Sequence, residues 1–492
     1  MSSEAPSELP SASEPPSASE LPSASELPSA SELPDQRGPL EPAELALRPR
    51  PPRARRGIRP LIGAMVTDVT PIRRYPAFRR IWAGETISAL GSQLTVTAIP
   101  LQVYAITHSS FAVGLTGLVA LIPLVTFGLL GGAVADAVDR RRLVLFTSSA
   151  LMVISAVLLV LARSHLTAVW PLYVVVGVQS AFVAVDQPTR RAMTRRLVPL
   201  EQLPAASALG QVGWNIAQTA GPLLAGVAIA ASGYGLAYGL DAATFVAALY
   251  GVIRLPSMAP EGGQTRPTFR SVGDGFSFLA RQPVVLMTFL VDIIAMVFGM
   301  PRALFPEIAH TQFGGGTQTA GLLYSAIAVG ALAGAALGGW FGRVRRQGVA
   351  VIGAIVIWGL AIAAFGLTHS LVVGVVLLAT AGAADMVSAV FRTSILQTAT
   401  PDDMQGRLQG VFIVVVSGGP RLGDLESGSV ASIVSPTFSV VSGGLICVGG
   451  VLAATAAVPS FIRYDARQAI AAARSASAAR SVSAEPVSAE TD

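Results

Sequence analysis

The chain has 492 residues, 52% hydrophobic and only 13% charged, with a formal net charge of +5. A soluble chain carries about a quarter charged residues, so the composition excludes an ordinary soluble enzyme or binding domain. Every basic residue is Arg, and Arg gathered in loops between apolar runs answers to a membrane face rather than to nucleic acid.

Residues 1–57 are low in complexity. A six-residue unit, SASELP, recurs from Ser11 to Pro34, and an Arg/Pro stretch follows from Arg48 to Arg59. Such a segment cannot bury a core and is expected to be disordered. It lacks the apolar run of a signal peptide. Met65 offers a second translation start, because the interpretable sequence follows it.

Twelve apolar blocks come next, each about the length that spans ~30 Å of hydrocarbon as a helix. Their predicted spans are 82–105, 112–134, 143–162, 168–187, 208–231, 235–253, 284–301, 319–341, 348–367, 370–390, 408–431 and 438–460. The fold class is therefore an all-α membrane protein of twelve transmembrane helices. The longest internal connection, 254–283, divides the helices six and six. The expected organisation is a disordered tail over 1–77, one bundle over 78–253, a linker over 254–283, a second bundle over 284–460 and a second tail over 461–492.

Orientation follows from Arg. The connections after even-numbered spans carry Arg140, Arg141 and Arg142; Arg190, Arg191, Arg195 and Arg196; Arg343, Arg345 and Arg346; and Arg392 and Arg407. The odd-numbered connections carry almost none. By the positive-inside rule these Arg-rich loops and both termini are cytoplasmic.

The two halves echo each other. Arg190 precedes Pro199 as Arg392 precedes Pro401, and the next span carries Gly221-Pro222 in one half and Gly419-Pro420 in the other. A repeat of six helices is the mark of a secondary transporter with a central site between two bundles.

The loop from Gly131 to Arg142, GGAVADAVDRRR, is the most informative motif. Gly132 permits close helix approach. Asp136 can face the positive end of a neighbouring helix, with Arg140 and Arg141 beside it. This reads as a gating latch. A weaker echo, Gly338 to Arg346, keeps the Arg and lacks the Asp. The fifth predicted span carries Gly213, Gly221, Pro222 and Gly226, a helix-packing pattern.

GGAVADAVDRRR resembles the signature loop of the major facilitator superfamily, with Ala137 and Asp139 departing from the usual pattern. Its Asp-Arg-Arg ending is similar to the drug:proton antiporter branch. Gly221, Pro222 and Gly226 resemble the antiporter motif of that branch, with Ala225 replacing a Gly. The stretch Gly382 to Asp424, together with Gly84 to Thr107 and Met300 to Pro306, resembles the bacterial enterobactin (siderophore) exporters of that branch. The resemblance implies alternating access between two bundles, with the first, fourth, seventh and tenth helices lining the cavity.

Ionisable groups within the spans are costly unless paired or wetted. Asp292, near mid-span with no cation one turn away, is the first candidate for proton coupling; Glu85, Asp385, Asp424 and Glu426 are the others. Asp186 has Arg190 one turn on, a helical ion-pair spacing. Asp241 is a further buried acid. Arg421 and Gln93 are candidates for substrate contact, and Arg421 and Asp424 share a helical face.

No phosphate loop, His/Cys metal cluster or Ser/His/Asp set stands out, and the lone Cys447 reads as a small buried hydrophobe. The chain is thus expected to be no enzyme, to bind no metal or cofactor, and to be driven by the proton gradient. Its expected partners are a small-molecule substrate and the lipid bilayer of a bacterial cytoplasmic membrane, with no nucleic acid, and it is expected to be monomeric. Three readings compete: a siderophore exporter, a multidrug exporter of the same machinery, and a membrane scaffold or sensor that transports nothing.

Overall fold

Apolar runs bounded by Pro and by capping residues become long helices. The computed structural model describes residues 68–164, 167–258, 277–336, 341, 344–400, 402–465 and 467–468. Side chains at 129–137, 402–403, 405–407, 409–410 and 413 lie outside the described set. Among the described residues the long helices are, in chain order, α1 (Pro76–Thr107), α2 (Ser110–Ala137), α3 (Arg140–Arg163), α4 (Trp170–Leu197), α5 (Leu203–Ser232), α6 (Tyr234–Ile253), α7 (Pro283–Phe298), α8 (Thr317–Ala336), α9 (Gln347–Leu367), α10 (Leu371–Ala399), α11 (Asp402–Ile433) and α12 (Pro436–Ala457).

The ends have local causes. Pro stands in the first turn of α1, α4, α5, α7 and α12, where its missing N–H costs nothing. Asp139 caps α3 by accepting the Arg142 N–H, and Ser435 caps α12 by accepting the Phe438 N–H at 3.1 Å. His108, at φ 51°, closes α1 in the left-handed conformation.

Several helices run past the predicted spans. α4 continues to Leu197 and α10 to Ala399, so Arg190 and Arg392, expected in loops, lie inside helices. Order also begins before the expected boundary: Thr70–Arg74 is a short helix and α1 starts at Pro76. Pro459–Arg463 forms another short helix where the second tail was expected to begin. The rest of both expected tails, most of the expected linker and the GGWFGRVRR echo except Phe341 and Val344–Arg346 lie outside the described residues.

The seventh span is broken. α7 stops at Phe298, because Pro301 offers no N–H and disfavours helical backbone at Met300. A 3-10 turn (Arg302–Leu304) and a short helix (Phe305–Thr311) carry the chain on toward α8.

The helices pack by one rule applied twice. In the first half α1 packs on α5 and α6, α3 on α4 and α6, and α2 on α4. In the second half α7 packs on α11 and α12, α9 on α10 and α12, and α8 on α10. The halves meet along two seams, α2 with α11 and α5 with α8. Lipid tails give apolar side chains no reason to leave the bilayer, so small residues that allow close approach decide such contacts. Gly334 shows this: a Cβ there would lie 2.8 Å from the Ala383 carbonyl oxygen of α10.

Among the described residues nine helices are long and apolar enough to cross a membrane. α4, α5 and α11 have the length without the apolarity. α4 and α11 carry Asp186, Arg190, Arg421 and Asp424 within their lengths, and α5 and α11 each form a seam between the halves.

Candidate functional site

Among the described residues each half contains one largely buried Arg shared by two carboxylates. In the first half Arg190 of α4 bonds Asp186 one turn back, Nε to Oδ2 at 2.5 Å, and reaches Glu85 of α1, Nη1 to Oε1 at 3.5 Å. Its Nη2 donates to Ser148 Oγ of α3 at 2.6 Å, and Thr147 Oγ1 donates to Asp186. Three helices are thereby joined through one guanidinium. In the second half Arg392 of α10 pairs with Asp292 of α7 and lies 3.6 Å from Asp385 of its own helix.

The two clamps differ in which carboxylate is the more exposed. Asp186 and Asp292 are 9% and 7% exposed at their side chains, whereas Glu85 and Asp385 are 32% and 35% exposed. With all groups ionised each clamp carries one net negative charge. One proton on the wetter carboxylate neutralises it while the inner pair stays intact. The second clamp borders a cavity of about 80 Å³ between α7, α10 and α11, which Thr288, Phe289 and Phe412 help to line.

This corrects the sequence expectation for Asp292. It has no cation on its own helix, but Arg392, on another helix, supplies one. The missed signal was the repeat: the spacing from Arg190 to Pro199 and from Arg392 to Pro401 marks both Arg as equivalent. Asp186 pairs with Arg190 as its spacing suggested.

The described end of the signature loop, Asp139 to Arg141, makes contacts within its own half. Gly132 and Asp136 lie outside the described side chains, so the expected gating contact of Asp136 is outside the described residues. The neighbouring Asp139 accepts from Ser257 Oγ and from the Met258 N–H at 3.0 Å, and the Arg140 N–H donates to the Met258 carbonyl at 3.2 Å. Arg141 Nη2 donates to the Ile253 carbonyl at 2.7 Å, at the end of α6. Partial burial pushes the Asp139 carboxyl up, but donation from Ser257 and from the Arg142, Met258 and Arg141 N–H groups outweighs it and holds the group below the usual carboxylate range.

The packing motif of α5 has two faces. Gly213 sits against Thr86 and Gly221 against Gln93, both on α1. Gly226 faces α8, where a Cβ would lie 2.6 Å from the Thr317 carbonyl oxygen, and the Pro222 carbonyl abuts Gly321. Gln93 is buried and donates to Gln218 of α5. It belongs to helix packing, which corrects its assignment as a substrate contact. Asp241 of α6 is held by Thr95 at 2.6 Å, Ser155 at 2.7 Å and Ser92 at 3.4 Å, a knot of α1, α3 and α6.

On α11 the expected pair of Arg421 and Asp424 does not form a direct bridge. Arg421 Nη1 instead donates to the Ser417 carbonyl one turn back at 2.6 Å. Asp424 Oδ1 and Glu426 Oε2 are buried without hydrogen-bond partners. Among the described residues no group of His, Cys, Asp and Glu is arranged to hold a metal.

Two repeated halves of membrane-length helices, seams of small residues and a buried charge clamp in each half define a multi-pass transporter of the major facilitator fold, not an enzyme. The chain belongs to the transmembrane secretion effector family, whose model matches residues 66–486. It is 28% identical over 384 residues to an enterobactin exporter, EntS, of Citrobacter koseri, covering 78% of this chain and 92% of that one. It is 27% identical over 387 residues to the enterobactin exporter EntS of Escherichia coli, covering 78% and 93%. Among solved structures the nucleoside transporter NupG shares the fold, with a TM-score of 0.60 at 15% identity, covering 79% of this chain and 99% of that one.

Proposed function

We propose that the protein exports a siderophore across a bacterial cytoplasmic membrane, driven by protons entering down their gradient. The observation that carries this is the pair of Arg clamps, each with one wetter carboxylate able to take a proton without loss of its inner ion pair. The likeness to enterobactin exporters supports the cargo class.

The cycle is alternating access. The two halves, 78–253 and 284–460, rock about the linker 254–283. Ser110, Gly114, Gly117, Gly226 and Thr317 make their seam contacts toward the α1–α2 and α7–α8 loops. The Arg-poor loops assign that side to the exterior and both termini to the cytoplasm. The described arrangement is then closed to the outside. Proton binding at Glu85 or Asp385 neutralises a clamp and loosens its hold between helices. One chain carries both halves, so a monomer suffices.

Metabolite profiling of culture medium from a deletion strain, at low and high iron, tests this. Loss of a secreted iron chelator supports it. Unchanged chelator with new drug sensitivity would assign the protein to multidrug efflux, and no change in either would leave the scaffold or sensor reading.

A further inference from the structure

The α2–α11 seam encloses a carboxylate that no ion pair among the described residues holds. At Gly117 a Cβ would lie 2.8 Å from the Arg421 carbonyl oxygen and 3.2 Å from Asp424 Cβ. Gly114 meets the backbone of Asp424 and Leu425 in the same way. Asp424 is thus wedged where the two halves touch, and its Oδ1 is buried with no hydrogen-bond partner.

Two guanidiniums are near, those of Arg302 and Arg421. Each is engaged elsewhere. Arg302 lies over the Tyr324 ring, 5.5 Å from its centroid, while the Tyr324 hydroxyl donates to the Arg302 carbonyl at 2.9 Å. Arg421 donates to the Ser417 carbonyl. Among the described residues neither forms an ion pair with Asp424. The Ala303 N–H faces the carboxylate and leaves Oδ1 bare. α2 brings no titratable group over Ser110–Leu121, and α12 brings only Cys447. On α7 the acid, Asp292, is held by Arg392. Glu426 lies two residues on along α11, and at the rim Glu307 accepts from Ser110 across the seam.

We propose that Asp424 is the proton-binding group that locks the α2–α11 seam. This rests on the reading of the protein as an exporter whose halves part at this seam; the proton binds and leaves on the outer side, so Asp424 sets the seam while the driving proton stays with Glu85 and Asp385. An ionised carboxylate with a bare oxygen is strongly disfavoured in a dry seam between membrane helices. The neutral acid is tolerated there. Opening the seam wets Oδ1 and lets the proton leave; a proton taken from outside water permits closure. Proton uptake therefore favours the closed seam, and proton loss to outside water favours the open one.

The test is a distance measurement by electron spin resonance on the full chain in lipid nanodiscs, without substrate. Labels go on Phe111→Cys and Ile433→Cys, both exposed and on the seam side, with Cys447→Ser to remove the native thiol. The open-to-closed ratio is expected to rise with pH by up to about tenfold per unit, the limit for one linked proton. Asp424→Asn should keep the seam closed at every pH. Gly117→Ala, which props the seam, should shift the population toward open, and Glu307→Gln should keep the pH response. An unchanged response in Asp424→Asn, or its loss in Glu307→Gln alone, overturns the proposal. Because no substrate is present, a strain that secretes its chelator normally without this gene defeats the proposed export without altering the seam result.

Discussion

Arg190 of α4 and Arg392 of α10 hold equivalent places in the two halves. Each bridges a carboxylate on its own helix to one on the first helix of its half. The correspondence is not a copy. The more exposed acid is on α1 in the first half and on α10 in the second, so the clamps open from different helices.

Removing Arg392 should be severe. Arg392→Ala leaves Asp292 and Asp385 without a cation, and breaking a buried pair costs about 3–5 kcal/mol. Arg392→Lys keeps the charge and loses the fork that reaches both acids. The expected order of thermal stability is wild type, then Lys, then Ala, read from unfolding midpoints of purified protein. Equal midpoints would remove the structural role of the clamp.

Neutralising the wetter acids should act on coupling instead. In Glu85→Gln and Asp385→Asn the pairs Arg190–Asp186 and Arg392–Asp292 remain. Both variants should fold, and efflux from proteoliposomes should lose its dependence on an imposed proton gradient. Gradient dependence retained in the double variant would place the coupling proton elsewhere.

Asp241 is expected to matter for stability alone. Asp241→Asn turns an amide N–H₂ toward hydroxyls that now donate to a carboxylate, leaving buried donors unpaired at about 1–3 kcal/mol. A lowered unfolding midpoint with unchanged gradient dependence is the expected result.

Two glycines should respond oppositely to Ala. At Gly84 a Cβ would lie 2.7 Å from the Ala247 carbonyl oxygen, so α1 and α6 must separate, at about 1–3 kcal/mol. At Gly210 nothing lies within 4 Å, and Ala should gain up to ~1 kcal/mol of helix propensity. Thermal unfolding of the two variants in one detergent decides this.

The Asp139 cap should titrate. Its folded pKa lies below the ordinary value of 3.8. Its stabilising contribution is therefore complete above the unfolded value and is lost as pH falls through the folded one. Unfolding midpoints of wild type and Asp139→Asn should differ at neutral pH and converge in acid below about pH 4. A gap that stays constant across that range would mean that the charge is not what holds the loop.

The sequence by itself determined the class, an all-α membrane protein. Hydrocarbon thickness sets helix length, and length and apolarity are local properties of a run of residues. It also marked Asp186–Arg190 as a pair, because one helical turn is a local distance. The tertiary structure decided the rest. Asp292 reads as unpaired along the chain, yet Arg392, a hundred residues on, is its partner. Gln93 reads as a candidate substrate contact, yet its side chain is turned to Gln218 of α5. Asp139 and Arg141 read as loop charges along the chain, yet they bind Met258 and the end of α6. Each of these depends on which helix packs beside which. In a bilayer that choice rests on small residues and buried polar partners contributed by both helices, so neither helix specifies it alone.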